Sequence, residues 1–429
     1  MISSWLQNQT KYSGSSMTRM TIGVGGSTQK IEIQRLQLIS QSLSSIADIK
    51  PGEYKDRILK AQSIMKTIDL DAIYLNAGTN MYYFTGTQWH ASERMVGAII
   101  PQNGPVTYLC PWFEKSTLKD FMSIPGKTIC WNEHESPYKL FVNLLSDIGI
   151  KSGKVGMDES TPYFIIDGVS NASPDLQLVN AKEVTSSCRM KKSEHEIALL
   201  QRAKDITLEV HKSAAAILKP GINTLEVCQF INKAHKAMGI AEGSSFCIAL
   251  FGEATAYPHG VKDSQILKEN DMVLIDTGCL LNGYNSDITR TYVYGEASTR
   301  QREVWDIEKE AQASAFKAAQ IGEPCSSVDK AARKTLEKYG FGPGYKIPGL
   351  PHRTGHGIGL DIHEWPYLVM SDHTCLEKGM CFSNEPMICI PGEFGVRHED
   401  HFYMTDGGPR WFTQPAHSID NPFGLTTIK

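Results

Sequence analysis

Five residues in the second half of the chain have types and an order that could hold metal ions. They are Asp276, Asp287, His356, Glu385 and Glu399. Four carboxylates and one imidazole cannot share a pocket without cations, because their mutual repulsion would be severe. Two divalent ions would remove that repulsion, and oxygen-rich ligation with one nitrogen favours Mn²⁺, with Co²⁺, Zn²⁺ or Fe²⁺ as alternatives. Two such ions about 3.5–4 Å apart can bridge a water, lower its pKa and clamp a tetrahedral intermediate.

The two aspartates lie on either side of a predicted hairpin turn. Two β-rich runs flank Asn282-Gly283, a pair typical of a two-residue hairpin loop. With these residues as the loop, Asp276 faces Thr289 across the strands and Asp287 lies two residues from that partner. The aspartates would then share one face as diagonal neighbours, within reach of one ligand. The alternative is that Asp287 only caps a turn and Asp276 only ends a strand.

The histidine segment is flanked by glycines that free the backbone. Gly355 and Gly357 on either side of His356 would let the chain pass close to a metal or a ligand. A lone histidine in such a loop is most simply structural. Here three histidines, His352, His356 and His363, fall within twelve residues, which favours a functional site.

The two glutamates frame a second predicted hairpin. A three-residue loop with Gly392 at its centre would set Glu385 directly opposite Glu399, whereas a four-residue loop would put them on opposite faces. Taken alone, Glu399 could simply belong to a charged strand face, because it stands among Arg397, His398, Asp400 and His401.

The composition excludes several classes of protein. A net charge of -4 over 429 residues argues against nucleic acid as a partner, because phosphate binding leaves a basic footprint. No apolar stretch approaches the ~20 residues needed to span a bilayer, and the N-terminal region has no apolar signal segment. The ten cysteines include no Cys-x-x-Cys pair, so we expect reduced thiols and a cytoplasmic protein.

The order of predicted elements divides the chain into three parts. Residues 1–35 are expected to form a flexible tail. Short apolar strands then alternate with helices, which predicts an α/β domain over residues 36–185. Residues 184–187 are interpreted as the linker. Long helices beside hairpins predict an α+β domain over residues 186–429, whose first helix begins at a capping box of Ser193 and Glu196.

On these motifs the chain resembles the metallopeptidase family with the pita-bread (creatinase-like) fold, which includes methionine aminopeptidase, aminopeptidase P and prolidase. The family order Asp, Asp, His, Glu, Glu occurs here at the five positions named above. The stretch 80–86 and Trp89 resemble the creatinase-type N-terminal domain of the proline-specific branch. The resemblance implies an α/β creatinase-like domain followed by an α+β pita-bread catalytic domain, most similar to a compact bacterial X-Pro dipeptidase (prolidase).

The resemblance also implies roles for individual residues. Asp287 and Glu399 would bridge both metal ions, and Glu385 would act as general base or proton shuttle. His259 and His363 would be catalytic together with Glu385, and His363 would contact the scissile group and assist proton transfer. The resemblance places the substrate-binding residues at His259, His352, His363, Arg397 and Trp89. His259 could instead cap a turn, and Arg397 could be a salt-bridge residue only.

Trp89 belongs to a domain that packs against the partner's catalytic cleft in the resembling family, so a homodimer is implied. One position departs from the family pattern, because Cys389 occupies the place of a tyrosine found in many relatives. If that tyrosine polarises the carbonyl elsewhere, this chain lacks the donor.

Several functions remain as hypotheses. The first is hydrolysis of X-Pro dipeptides by a metal-bridging water or hydroxide, and the alternative is an X-Pro aminopeptidase acting on longer peptides. More remote are a lyase and a non-enzymatic binding module. The lyase is disfavoured by Gly278, where an additional acid would be expected, and the binding module by the presence of all five ligands.

Overall fold

The computed structural model describes residues 21–426. Its helices are α1 (Gln29–Ser42), α2 (Pro51–Thr67), α3 (Thr79–Thr85), α4 (Lys115–Phe121), α5 (Pro137–Asp147), α6 (Tyr163–Ala172), α7 (Lys182–Arg189), α8 (Glu194–Ala216), α9 (Thr224–Ala237), α10 (Thr299–Ala318) and α11 (Cys325–Lys338). Among the residues described, no helix is both long and apolar enough to cross a membrane.

The strands of the N-terminal half are β1 (Ala72–Asn76), β2 (Gly97–Pro101), β3 (Thr107–Pro111), β4 (Lys127–Trp131), β5 (Gly153–Met157) and β6 (Leu176–Asn180). They form one mixed sheet in the order β4-β3-β2-β1-β5-β6. The central strands β1, β2 and β3 are buried along their whole length, which requires cover on both faces. This is the α/β domain that the alternating strands and helices predicted.

The strands of the C-terminal half are β7 (Ser244–Phe251), β8 (Met272–Leu281), β9 (Tyr284–Asn285), β10 (Ile288–Val293), β11 (Gly355–Gly357), β12 (Glu364–Leu368), β13 (Cys381–Asn384), β14 (Met387–Ile390), β15 (Phe394–Arg397), β16 (Asp400–Thr405) and β17 (Gly408–Trp411). They form the sheets β10-β8-β7, β12-β11-β13-β16-β17 and β14-β15, with β9 paired to β8. The long helices α8 to α11 pack beside these sheets. The predicted capping box begins α8, because Ser193 accepts from the Glu196 amide and Glu196 accepts from the Ser193 amide.

The two halves are joined by ion pairs as well as by apolar packing. From α2, the Arg57 guanidinium donates to the Tyr284 hydroxyl at 3.0 Å and lies 3.2 Å from the Glu196 carboxylate. From α7, Arg189 donates to Asp361 at 2.7 Å and to Glu364 at 2.5 Å. The loop that carries His363 is therefore tied to the N-terminal half on both sides of that histidine.

Two predictions about chain organisation are wrong. Residues 184–187 lie inside α7, where Val184 and Thr185 are buried, so the predicted linker is a helix whose Arg189 forms the domain contacts. The described part of the predicted flexible tail, residues 21–35, is packed against the C-terminal half. Arg35 donates to Glu209 of α8 at 2.8 Å, and the neighbouring Leu36 is fully buried. Residues 1–20 of that predicted tail lie outside the described residues.

Candidate active site

The hairpin of β8 and β10 places the first pair of acids. Asn282 and Gly283 have φ of 50° and 83°, the left-handed values that a type I′ turn requires. The resulting register pairs Thr289 with Asp276, as the turn residues predicted. Both aspartates, Asp276 and Asp287, are buried.

The hairpin of β14 and β15 has the predicted three-residue loop. Met387 pairs with Arg397, and the same register carried two residues further sets Glu385 opposite Glu399. The amide of Glu399 donates to the Thr289 carbonyl at 3.1 Å, so the second hairpin is bonded to the first at the partner of Asp276. Local turn chemistry and one bridge between hairpins thus bring together the carboxylate cluster, which we define as Asp276, Asp287, Glu385 and Glu399.

His356 of β11 completes the set of predicted ligands. Its Nδ1 lies 3.0 Å from the Gly357 carbonyl, which can only accept, so Nδ1 carries a proton and Nε2 is directed at the carboxylates. Nε2 lies 3.1 Å from Glu385 and 3.8 Å from Asp287. A backbone hydrogen bond that holds the tautomer in this way is typical of a metal-binding histidine.

Gly355 and Gly357, which flank His356, lie against the backbone of neighbouring strands. A Cβ on Gly355 would lie 2.1 Å from the Ser383 carbonyl oxygen, and one on Gly357 would lie 2.4 Å from that of Glu364. The close approach that these glycines allow is therefore to the backbone of the adjacent strands. They act indirectly, by letting β11 lie between β12 and β13 with His356 in place.

Three buried carboxylate oxygens of the cluster find no hydrogen-bond partner among the described residues: Asp276 Oδ1, Asp287 Oδ1 and Glu399 Oε1. Burial, followed by the charge of neighbouring carboxylates, raises the pKa of Asp287 and of Glu399 well above the usual range. Buried charges of one sign without partners are costly, so the cluster fits divalent cations. The donor atoms that approach within 4.8 Å of one another form three sets: Asp287 with His356 and His363, Asp287 with Glu399 and His401, and His356 with Glu385 and Glu399.

Glu385 differs from the rest of the cluster. Burial disfavours its charge, but the hydrogen bond and charge of His356, with His352 and Arg397 nearby, hold its pKa below the usual range. Ser383 donates a further hydrogen bond to it at 3.0 Å. Its side chain is 14% exposed, compared with 6% for Asp287 and 1% for Glu399. Glu385 is therefore an ionised carboxylate at the accessible side of the cluster.

Arg397, predicted to bind substrate, is buried and committed to Asp276. Its Nη2 donates to Asp276 Oδ2 at 2.6 Å, while Nε donates to Thr289 Oγ1 at 3.2 Å and Nη1 to the Pro258 carbonyl at 3.0 Å. All three guanidinium nitrogens thus have protein partners. The geometry matches the salt-bridge alternative that the sequence left open.

The remaining predicted histidines surround the accessible side of the cluster. The His363 ring lies 4.2 Å from that of His356, centroid to centroid, and burial with the charge of His356 lowers the pKa of His363 to about 4. His259 is exposed and close enough to contribute to that shift. His352 Nδ1 is 2.7 Å from the Arg353 carbonyl, and its buried Nε2 has no partner among the described residues.

A cavity of about 280 Å³ adjoins His363 between the two halves of the chain. Its other lining residues are mostly charged or aromatic and include Glu159, Lys182, Arg189, Glu364 and Trp365. The cavity therefore offers polar and charged groups beside His363.

Two predicted features lie apart from the cluster. Trp89 is half-buried in the N-terminal half, where its ring packs edge-on against Phe121 with the centroids 6.0 Å apart. Within one chain it therefore does not contact the carboxylate cluster. Cys389 is buried in β14, and burial raises the pKa of its thiol to about 12.

Two residues beside the site are not identified from the sequence. His401 is seen there only as a neighbour of Glu399, although a spacing of two on a strand predicts a shared face. Arg353 is not singled out, yet its positive charge acts on His363 and its guanidinium lies 4.4 Å from the Tyr367 ring centroid. Its position directly after His352 was the available signal.

Two protein-family models match successive parts of the chain. Residues 198–406 match metallopeptidase family M24, and residues 57–191 match the creatinase/prolidase N-terminal domain. The Xaa-Pro dipeptidase of Pyrococcus furiosus is 31% identical over 85% of this chain and 99% of its own length. Among solved structures, a dipeptidase from Mycobacterium ulcerans is 28% identical with a TM-score of 0.79, covering 87% of this chain and 99% of that one.

A prolidase from Thermococcus sibiricus is 30% identical with a TM-score of 0.75, covering 86% of this chain and 98% of that one. These likenesses extend over both halves of the chain. The protein belongs to metallopeptidase family M24, with a creatinase-type N-terminal domain followed by a pita-bread catalytic domain. It is thus a hydrolase of a family that acts on peptides and uses divalent metal ions.

Proposed function

We propose that this protein hydrolyses X-Pro dipeptides with two divalent metal ions, most suitably Mn²⁺. The observation that carries the proposal is the convergence of three unpartnered carboxylate oxygens with His356 Nε2 in a buried site. The ions would be held by the carboxylate cluster and His356. The choice of an X-Pro dipeptide is supported by the Xaa-Pro dipeptidase and the prolidase to which the chain is similar.

When bound, two such ions supply a nucleophilic hydroxide near neutral pH and offset the charge that develops on the substrate. Glu385 is placed to receive and return a proton, because it is ionised, is held by His356 and Ser383, and is the most exposed member of the cluster. His363, with a pKa lowered to about 4, is neutral at pH 7 and can donate a hydrogen bond from one ring nitrogen. It is therefore suited to orient the scissile group.

The carboxylate end of a dipeptide needs a cation or strong donor. Arg397 is already engaged by Asp276, so we assign this role to Arg353 together with His352. Because His352 Nδ1 donates to the Arg353 carbonyl, Nε2 can donate only when the ring is protonated. A substrate carboxylate next to Nε2 would favour that protonated form.

The structure also bears on the lyase hypothesis. A Cβ on Gly278 would lie 1.9 Å from the Ser286 carbonyl oxygen, so this backbone has no room for an additional acid at that position. The feature that a lyase would be expected to have is therefore sterically excluded here.

The test compares kcat/KM for Ala-Pro and Ala-Pro-Ala at matched Mn²⁺, with metal content measured on the same sample. We expect close to two ions per chain and efficient cleavage of the dipeptide only, because a third residue displaces the carboxylate from Arg353. Equal cleavage of the tripeptide would favour an X-Pro aminopeptidase. Full activity after exhaustive metal removal would rule out the metal-dependent mechanism.

The predicted metal ligands and the proposed binding site for the substrate carboxylate are tested separately. Asp276→Asn should abolish activity and lower metal content with the fold intact. Arg353→Met should mainly raise KM for Ala-Pro while metal content is unchanged. An Arg353→Met variant with unaltered KM would remove Arg353 from the proposed binding site.

A further inference from the structure

His401 lies on the strand face that points to the carboxylate cluster. It follows Glu399 by two residues at the start of β16, and alternate residues of a strand share a face. Its Nε2 lies 3.7 Å from Glu399 Oε1. The intervening Asp400 points the other way and is bonded to Arg290 at 2.6 Å. The extended backbone therefore directs one imidazole towards the cluster and the next carboxylate away from it.

The surroundings of His401 do not satisfy its ring. The residue is fully buried, and neither ring nitrogen has a hydrogen-bond partner among residues 21–426. Leaving a buried polar group without a partner destabilises a fold. His235 shows that a buried histidine of this chain can be satisfied, since its two nitrogens are bonded to Thr207 and Ser244 at 3.1 and 2.9 Å. Lack of partners alone does not mark a metal ligand, because His398 is equally buried and unpartnered; His401 differs in that it faces the carboxylate cluster.

Three unpartnered groups meet at this point. Asp287, Glu399 and His401 offer ligand atoms within 4.8 Å of one another, and each has an oxygen or nitrogen that lacks a partner in the described part of the chain. Ligands bound at about 2.1 Å to one ion are separated by roughly 3–4 Å, so the spacing of 3.7 Å between His401 and Glu399 suits a shared ion.

We propose that His401 is an additional protein ligand, which gives the metal centre a second imidazole besides His356. This inference rests on the metal centre of the proposed function but not on its substrate. A second nitrogen makes one of the two ion sites richer in imidazole, so that site should bind Co²⁺ or Zn²⁺ more readily than the five predicted ligands alone indicate, while the other site keeps the oxygen-rich ligation that suits Mn²⁺.

The first test is X-ray absorption spectroscopy of the Co²⁺-loaded protein, which counts imidazoles from their outer-shell scattering. We expect two imidazoles for each pair of ions in the unaltered protein and one in His401→Ala. A single imidazole per pair in the unaltered protein would overturn the proposal, and this measurement does not depend on whether a variant folds.

The second test is calorimetric titration of the metal-free protein with Co²⁺ alone. His401→Ala should bind one of the two ions at least about tenfold more weakly, since even loss of a residue that only supports a metal ligand costs about 10–100-fold. The matched control is His398→Ala. His398 is equally buried and unpartnered at both nitrogens, but it lies on the opposite face, 3.4 Å from Glu308.

An affinity in His401→Ala equal to that of the unaltered protein would refute the assignment, as would an equal loss in both variants. These results are separable from the substrate question. Two imidazoles in a protein that does not cleave Ala-Pro would leave the His401 assignment standing and remove the proposed function. One imidazole in an active X-Pro dipeptidase would do the reverse.

Discussion

Replacement of Glu399 by glutamine should have opposite effects on the metal-free and metal-loaded protein. Glu399 is buried among the other carboxylates, and burial with their negative charge raises its pKa well above the usual range. Without metal ions this carboxylate therefore destabilises the fold at neutral pH. Glutamine keeps the shape and can still accept the hydrogen bond that Thr289 donates at 2.8 Å. Glu399→Gln should consequently stabilise the metal-free protein and impair metal binding.

The gain in stability of metal-free Glu399→Gln follows from the distance between two carboxylates. Ligand oxygens of Asp287 and Glu399 lie within 4.8 Å of one another. Two negative charges at that separation repel by about 3.5 kcal/mol at an effective dielectric constant of about 20. Removing the charge of Glu399 by protonation at about pH 7.5 would cost about 4 kcal/mol. The repulsion costs less than this, so Glu399 stays ionised and remains repelled by Asp287. The attraction between Glu399 and Arg397, which Glu399→Gln also removes, offsets part of this repulsion, so the expected gain in stability is less than about 3.5 kcal/mol.

The sign of the pH dependence follows from the raised pKa. A group with a raised pKa in the folded state contributes stability at low pH that is lost as the pH rises through that pKa. The advantage of Glu399→Gln should therefore be absent near pH 4, where glutamate is protonated in the unfolded chain as well, and should grow towards neutral pH.

The assay is urea unfolding in EDTA and then in excess Mn²⁺. Mn²⁺ at about 100 times its Kd should stabilise the unaltered protein by about 2.7 kcal/mol and Glu399→Gln much less. Glu308→Gln is the control for the loss of a buried carboxylate that is not a candidate metal ligand. Glu308 is also fully buried and has a raised pKa, but it belongs to none of the candidate ligand sets. The reasoning fails if Glu399→Gln is no more stable than the unaltered protein in EDTA at neutral pH.

Three further predictions concern other parts of the molecule. Cys389→Ser should retain most turnover, because the buried thiol with a pKa of about 12 is not a nucleophile at neutral pH; a loss of several orders of magnitude in kcat with metals bound would contradict this. Arg397→Met should destabilise the metal-free protein by about 3–5 kcal/mol, since Asp276 loses its buried cation. It should also lower metal content, whereas Arg57→Met, which removes a remote buried ion pair, should leave metal content unchanged. Light scattering at micromolar concentration should give the mass of a homodimer, as the resemblance at Trp89 implies, and a monomeric mass would exclude it.

Local turn chemistry explains why the sequence predicted much of the site. Asn282-Gly283 and Gly392 adopt the positive φ values that their hairpin loops require, and loop length sets strand register. The pairing of Asp276 with Thr289 and the register that opposes Glu385 to Glu399 follow from residues close in sequence. These parts needed no knowledge of the distant fold.

The tertiary structure decided which groups already have partners. Arg397 meets Asp276 across 121 positions of sequence, so nothing local could distinguish a salt bridge from a substrate contact. The same holds for Gly357, whose close neighbour is the backbone of another strand, and for Leu36, which is buried against helices distant in sequence. His401 shows the limit most clearly: strand alternation could place it beside Glu399, but its lack of partners depends on every element packed around it.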